Sequence, residues 1–136
     1  MKATPAAAYD KFVHHVGDWW SSDHTYSHDA HNLTMDDKAG GCFCEKLPDG
    51  GGVRHLQVNY DAPGKALILS GGMGPLSSMA VTGAMNVTFT AVEGGTKIAL
   101  TYAVGGYAQG GLTTLAAPVD GMLKETLGRF RSYVER

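Results

Sequence analysis

Two cysteines in 136 residues are too few for a scaffold built on disulfides, so a folded chain must rest on an apolar core. Proline is scarce as well, at five residues, which leaves long stretches free to form helix or strand. Neither sign of charge dominates. Eleven Lys and Arg against 13 Asp and Glu give a net charge of −2, and no basic run exists. The chain therefore lacks the field that grips nucleic acid. No apolar run reaches the roughly 18 residues of a membrane-spanning helix. The start, Met1-Lys2-Ala3-Thr4-Pro5, lacks the apolar stretch of a signal peptide. The compartment is open: cytoplasmic as written, exported if a targeting segment was removed ahead of Met1. Absent too are a phosphate loop, a dinucleotide fingerprint and a Ser-His-Asp spacing, so no cofactor is expected.

What is abundant is glycine, at 19 residues. Much of it stands in pairs such as Gly40-Gly41, Gly71-Gly72, Gly94-Gly95 and Gly105-Gly106. The segments between are rich in Val, Leu, Thr and Tyr, so the pairs mark turns and bulges of an antiparallel sheet. Hydrophobic residues make up 43% and charged residues 18%, the balance of one globular domain over residues 1–136.

Pro5 to Val16 reads as a helix. Thr4 is its N-cap, Pro5 its first residue, and Tyr9, Phe12, Val13 and Val16 form one apolar face, with Gly17 as the stop. Residues 18–32 read as an ordered polar loop. Strands are expected at Leu33–Asp36, Gly41–Leu47, Val53–Asp61, Ala66–Ser70, Gly83–Val92 and Gly95–Val104. The third alternates, with Leu56, Val58 and Tyr60 facing in and His55, Gln57 and Asn59 facing out. The fifth turns Met85, Val87 and Phe89 inward, the sixth Ile98, Leu100 and Tyr102. Glu93-Gly94-Gly95 joins these two as a hairpin. Leu115, Val119, Met122, Leu123, Leu127, Phe130 and Val134 recur at helical spacing. Pro118 predicts that the regular helix starts there, after a separate turn over Leu112–Ala116, with Asp120 in its first turn.

The fold class is therefore α+β: a curved antiparallel sheet of about six strands wrapped on a long C-terminal helix. That helix is the one element long enough to cover an apolar sheet face. A space between sheet and helix would suit an apolar ligand.

Several words in this order carry a resemblance. They are Trp19-Trp20, His24-Thr25-Tyr26-Ser27, Gly40-Gly41-Cys42-Phe43-Cys44-Glu45, Pro63-Gly64-Lys65, Gly74-Pro75-Leu76, Gly105-Gly106-Tyr107 and Ala117-Pro118-Val119-Asp120. The chain resembles the START-like or SRPBCC superfamily, with the helix-grip fold of the birch-pollen allergen. Within it, the branch called activator of heat-shock ATPase-like or polyketide cyclase-like is most similar. The resemblance implies a cavity between sheet and helix. It implies three classes of activity: a carrier or sensor of a lipid-like or polyketide-like molecule, a cyclase- or hydrolase-type enzyme, and a co-chaperone-like interaction module. It also implies a strand ahead of the first helix, of which only Met1 to Ala3 stand here. Open strand edges would follow, and with them either a homodimer or Met1–Ala3 folded back over the gap.

The ligand-binding candidates are Trp20, Tyr26, Phe43, Leu56, Val58, Tyr60, Met85, Val87, Phe89, Leu100, Tyr102, Val119, Met122 and Leu123. Tyr107 is a further source of a hydroxyl at the wall. Glu45 shares a strand face with Phe43, so if that face lines the cavity Glu45 is its lone carboxyl, with a pKa raised by burial. His24 is the second candidate for acid–base work. His24, His28, Asp29 and His31 crowd one loop, but the resembled pattern has glycine at His28, and a solvated loop with His24 bonded to backbone is expected rather than a metal site. Cys42 and Cys44 share the other face. Two residues along a strand hold Cβ atoms roughly 6–7 Å apart, against the ~3.8 Å of a disulfide. The expectation is two buried, unbridged thiols unless the strand bulges.

Overall fold

The computed structural model describes every residue, Met1–Arg136. Helix α1 spans Pro5–His14 and helix α2 Val16–Trp19. Six strands follow: β1 Leu33–Met35, β2 Cys42–Lys46, β3 Gly52–Ala62, β4 Ala66–Ser70, β5 Val81–Val92 and β6 Gly95–Gly106. Helix α3, Thr113–Val134, ends the chain. Every strand pairs antiparallel with the next, in the order β1-β2-β3-β4-β5-β6. The result is the α+β, helix-grip arrangement of a curved sheet held on a long terminal helix.

The local signals act as their chemistry dictates. The Thr4 hydroxyl accepts from the Ala7 N–H at 3.1 Å, and Pro5 opens α1. Tyr9, Phe12, Val13 and Val16 are all buried. Gly17 does not end the helical stretch, however. The break falls at His15 (φ −120°), and Gly17 lies inside α2. A Cβ at Gly17 would meet the Ala30 carbonyl at 3.1 Å, so this glycine serves close packing of the loop. Two short 3₁₀ turns, Ser22–His24 and Ala30–Asn32, order that loop.

The helix start differs from expectation. Pro118 stands inside α3, which begins at Thr113. Proline there forgoes one hydrogen bond, to the Thr114 carbonyl near the exposed end, where the loss is small. Asp120 is thus beyond the first turn and pairs with Lys124 at 3.2 Å.

The strand alternation of β5 holds. Met85, Val87 and Phe89 are buried against exposed Asn86, Thr88 and Thr90. That of β3 does not, because two irregularities interrupt it. Between Phe43↔Leu56 and Cys44↔Arg54 the register slips, leaving His55 as an extra residue on β3. Such a bulge turns neighbouring side chains to one side. His55 and Leu56 are accordingly both buried, and His55 does not face out. A second slip, between Val58↔Leu69 and Tyr60↔Ile68, turns Tyr60 outward to 50% exposure.

The expectation of free thiols is overturned: Cys42 and Cys44 form a disulfide. Their Cα atoms are 5.5 Å apart, closer than the roughly 6.4–6.8 Å of two regular strand steps. That separation is within bridging range. Both residues are half-exposed rather than buried.

An aromatic knot holds the helices on the sheet. Phe12 meets Trp19, Phe89 and Phe130 at centroid distances of 5.1, 5.7 and 5.3 Å. The Trp19 indole donates to the Lys11 carbonyl at 3.1 Å, and Arg129 donates to the Trp19 carbonyl at 3.0 Å. At the middle of the sheet the void under α3, bounded by Phe12, Leu56, Met85, Leu123 and Leu127, is only about 20 Å³. Leu127 is half-buried and also borders an open groove beside β6. Leu127→Ala is expected to cost about 2 kcal/mol, the low end for a core leucine. A denaturant titration finding under about 0.5 kcal/mol would place the side chain outside the core.

The outer strands are β1 and β6. Met1 to Ala3 fold back on the start of β6. The Met1 ammonium donates to the Thr96 carbonyl at 3.0 Å, the Thr96 N–H to the Met1 carbonyl at 2.9 Å, and the Thr96 hydroxyl to the Ala3 carbonyl at 2.6 Å.

Candidate functional site

The first half of α3 stands off the sheet. Leu115, Pro118, Val119 and Met122 lie one to two turns apart along it and line a cavity of about 480 Å³. Across from them stand Trp20, Phe43 and His55. A third wall is the segment Met73–Met79, whose 3₁₀ turn Gly74–Ser78 covers one side. This space lies at the N-terminal end of α3, and a groove of about 850 Å³ adjoins it between β6 and α3, bordered by Leu100, Tyr102, Val119, Leu123 and Leu127.

Hydrogen bonds fix its rim. The Tyr26 hydroxyl donates to the Gly74 carbonyl at 2.9 Å, tying the 3₁₀ segment to the polar loop. The Trp20 indole donates to the His24 carbonyl at 3.1 Å. The Tyr102 hydroxyl accepts from the Met73 N–H at 3.1 Å and donates to the Gly71 carbonyl. Its ring lies over Gly83, where any Cβ would collide with it. Glycine in mid-strand here makes room for the tyrosine that holds the wall.

Glu45, expected as the lone carboxyl of the cavity, stands behind this wall rather than in the lining, whose one carboxyl is Asp23. Glu45 is 2% exposed and shares its face with buried Phe43. Its carboxylate accepts from the Tyr26 N–H at 3.2 Å, the Ser27 N–H at 2.6 Å and His55 Nε2 at 2.8 Å. The raised pKa expected from burial does not occur. Desolvation pushes the carboxyl up, but the bonds from Ser27, His55 and Tyr26 outweigh it and hold it below the ordinary 4.5. The unfolded chain therefore binds this proton more readily than the folded one. The resulting stability is fully present above about pH 4.5 and is lost as pH falls through the lowered folded value. Denaturant titrations from pH 7 to 3 are expected to show the gap between wild type and Glu45→Gln shrinking below about pH 4.5; a gap that is flat or widens on acidification would contradict this.

The candidates distribute as follows. Trp20, His24, Tyr26, Phe43, Val119 and Met122 line the cavity. Leu56, Met85, Leu100 and Leu123 border the small central void. Val58, Val87 and Phe89 are packed core, with Phe89 against Tyr9 and Phe12 of α1. Tyr102 braces the wall by its hydroxyl and faces the β6 groove. Tyr60 and Tyr107 point to solvent. His24 does not bond to backbone through its ring; Nε2 meets the Glu125 carboxylate at 3.2 Å. His28 sits at φ +61°, in the left-handed region that favours glycine. No group of three or more His, Cys, Asp or Glu side chains converges as metal ligands would.

Sequence reasoning missed His55, Met73 and Leu76. His55 was hidden by the bulge. Met73 precedes and Leu76 lies within the 3₁₀ turn Gly74–Ser78, which has no period to read.

No protein-family model matches the chain, and no curated protein does. Solved structures do. An uncharacterised protein from Rhizobium leguminosarum superposes with a TM-score of 0.69 at 20% identity, over 100% of this chain and 90% of that one. A protein from Mesorhizobium loti gives 0.59 at 12% identity, over 100% and 92%. A protein of unknown function from Staphylococcus aureus gives 0.57 at 14%, over 99% and 91%. These likenesses concern the fold, an antiparallel sheet with a C-terminal helix.

Proposed function

We propose that this chain is a START-like, SRPBCC-type domain that binds a small, mainly apolar molecule as a carrier or sensor. The observation that carries the reading is the cavity of about 480 Å³ at the N-terminal end of α3. Its volume falls in the range of small-molecule sites, and its walls combine apolar side chains with a few fixed polar groups. The order of elements and the sequence words quoted above support the family assignment.

The test uses N-phenyl-1-naphthylamine, a neutral dye that fluoresces in apolar surroundings. Saturable binding of about one dye per chain is expected in wild type, with a loss of at least tenfold in affinity in Met122→Trp, which fills the space. Equal binding by the two proteins, or none by wild type, would overturn the reading.

A second reading is an acid–base enzyme of cyclase or hydrolase type acting in the same cavity. It is favoured by His55, which stands in the wall backed by Glu45. A bound molecule recovered chemically unchanged after prolonged incubation supports the carrier; conversion abolished by His55→Phe supports the enzyme.

Association with a second copy belongs to the same proposal. Beyond Thr96, the outer edge of β6, away from β5, has no strand partner, and Lys97 is the one charged residue along the strand. Unblocked edges recruit strands. Light scattering at micromolar concentration is expected to give twice the 14.3 kDa chain mass; a clean monomer would defeat the dimer and leave ligand binding standing.

A further inference from the structure

We infer that the ligand carries a neutral hydroxyl, which donates a hydrogen bond to Nδ1 of His55. This rests on the binding reading above and deepens it to a ligand class.

The geometry gives the direction of the proton. The Glu45 carboxylate already takes the N–H groups of Tyr26 and Ser27, at 3.2 and 2.6 Å, and a carboxylate can only accept. His55 Nε2, 2.8 Å away, is therefore the donor. In a singly protonated imidazole the other nitrogen is then a bare acceptor. Nδ1 makes no hydrogen bond within the protein, although the side chain is only 4% exposed. No fully enclosed side-chain nitrogen or oxygen in the molecule lacks a partner. Nδ1 therefore reaches free space, and the space that His55 lines is the cavity. The ring cannot turn away. Phe43 and Tyr26 flank it at centroid distances of 5.3 and 5.9 Å, and Glu45 holds its far side.

Charge narrows the class. Asp23 lines the cavity, Glu45 lies behind His55, and Glu125 engages His24. No Lys or Arg is among the lining residues. A ligand carboxylate would face these carboxylates with no fixed cation to receive it. A neutral alcohol or phenol meets an acceptor without that repulsion. The fitting molecule is an apolar body with one hydroxyl, able to satisfy a buried acceptor that a pure hydrocarbon would leave unpaired.

Three probes of one shape test this: naphthalene, 1-naphthalenemethanol and 1-naphthoate, competed against N-phenyl-1-naphthylamine at pH 8. In wild type the alcohol is expected to bind about tenfold tighter than naphthalene, the size of one net hydrogen bond. Naphthoate is expected to bind more weakly than the alcohol. His55→Phe is expected to erase the alcohol's advantage while naphthalene still competes. Equal binding of alcohol and hydrocarbon by wild type, or an alcohol preference that survives in His55→Phe, would overturn the inference and leave the cavity reading intact. Failure of all three probes while the dye still binds would overturn it as well. Failure of the dye itself would sink the reading beneath it.

Discussion

Glu45→Leu is expected to destabilise the protein by about 3–5 kcal/mol, the usual loss when one member of a buried pair is removed. Leucine fills similar volume, so the loss is not one of packing. It comes from the donors left behind. The N–H groups of Tyr26 and Ser27 and Nε2–H of His55 all end on this carboxylate. Two of the three are backbone groups of the loop that closes the cavity, so the loop should loosen with the core. Glu45→Gln keeps an acceptor and should lose much less. Urea titration of both variants checks this; a loss below about 1 kcal/mol for Glu45→Leu would mean that water reaches these groups.

Phe130→Ala is expected to cost a further-reaching 3–5 kcal/mol, roughly what large core aromatics lose on truncation. Phe130 is fully buried, and it packs on Trp19 at 4.8 Å and Phe12 at 5.3 Å. It is the point where α3 meets both α1 and α2. Its removal should unseat the C-terminal half of α3, whereas Leu115→Ala, at the cavity end, should cost far less. The contrast follows from where atoms are missing already: a side chain that borders empty space has fewer neighbours to lose. Equal losses at both positions would mean that the cavity end is packed as tightly as the core.

These two residues also show what could be read from the chain itself. Phe130 belongs to a long helical stripe, and helical periodicity survives a local error such as the misplaced start at Pro118. The face of α1 and the alternation of β5 were legible for the same reason: one period ran unbroken over many residues. Glu45 was legible in part, because its parity with Phe43 put both on one face of β2. Its ionisation was not, since the three donors arrive from a loop and from another strand. His55 was invisible. The period of two in β3 assigns it to the outside, and only the pairing with β2 reveals the extra residue that turns it in. The Cys42–Cys44 bridge was missed for a separate reason: regular strand spacing placed the two residues too far apart, whereas their Cα atoms stand 5.5 Å apart. The Met73–Met79 wall, made of a 3₁₀ turn after paired glycines, carries no period at all.

Six methionines make the most direct measurement available. Met73, Met79 and Met122 line the cavity, while Met1 lies against the edge of β6. With methionine methyls labelled by ¹³C, titration with 1-naphthalenemethanol should shift the Met73, Met79 and Met122 signals together, saturably and at one affinity, and leave Met1 in place. Shifts that never saturate, or that fall on Met1 instead of the three cavity methyls, would contradict a binding site at the N-terminal end of α3.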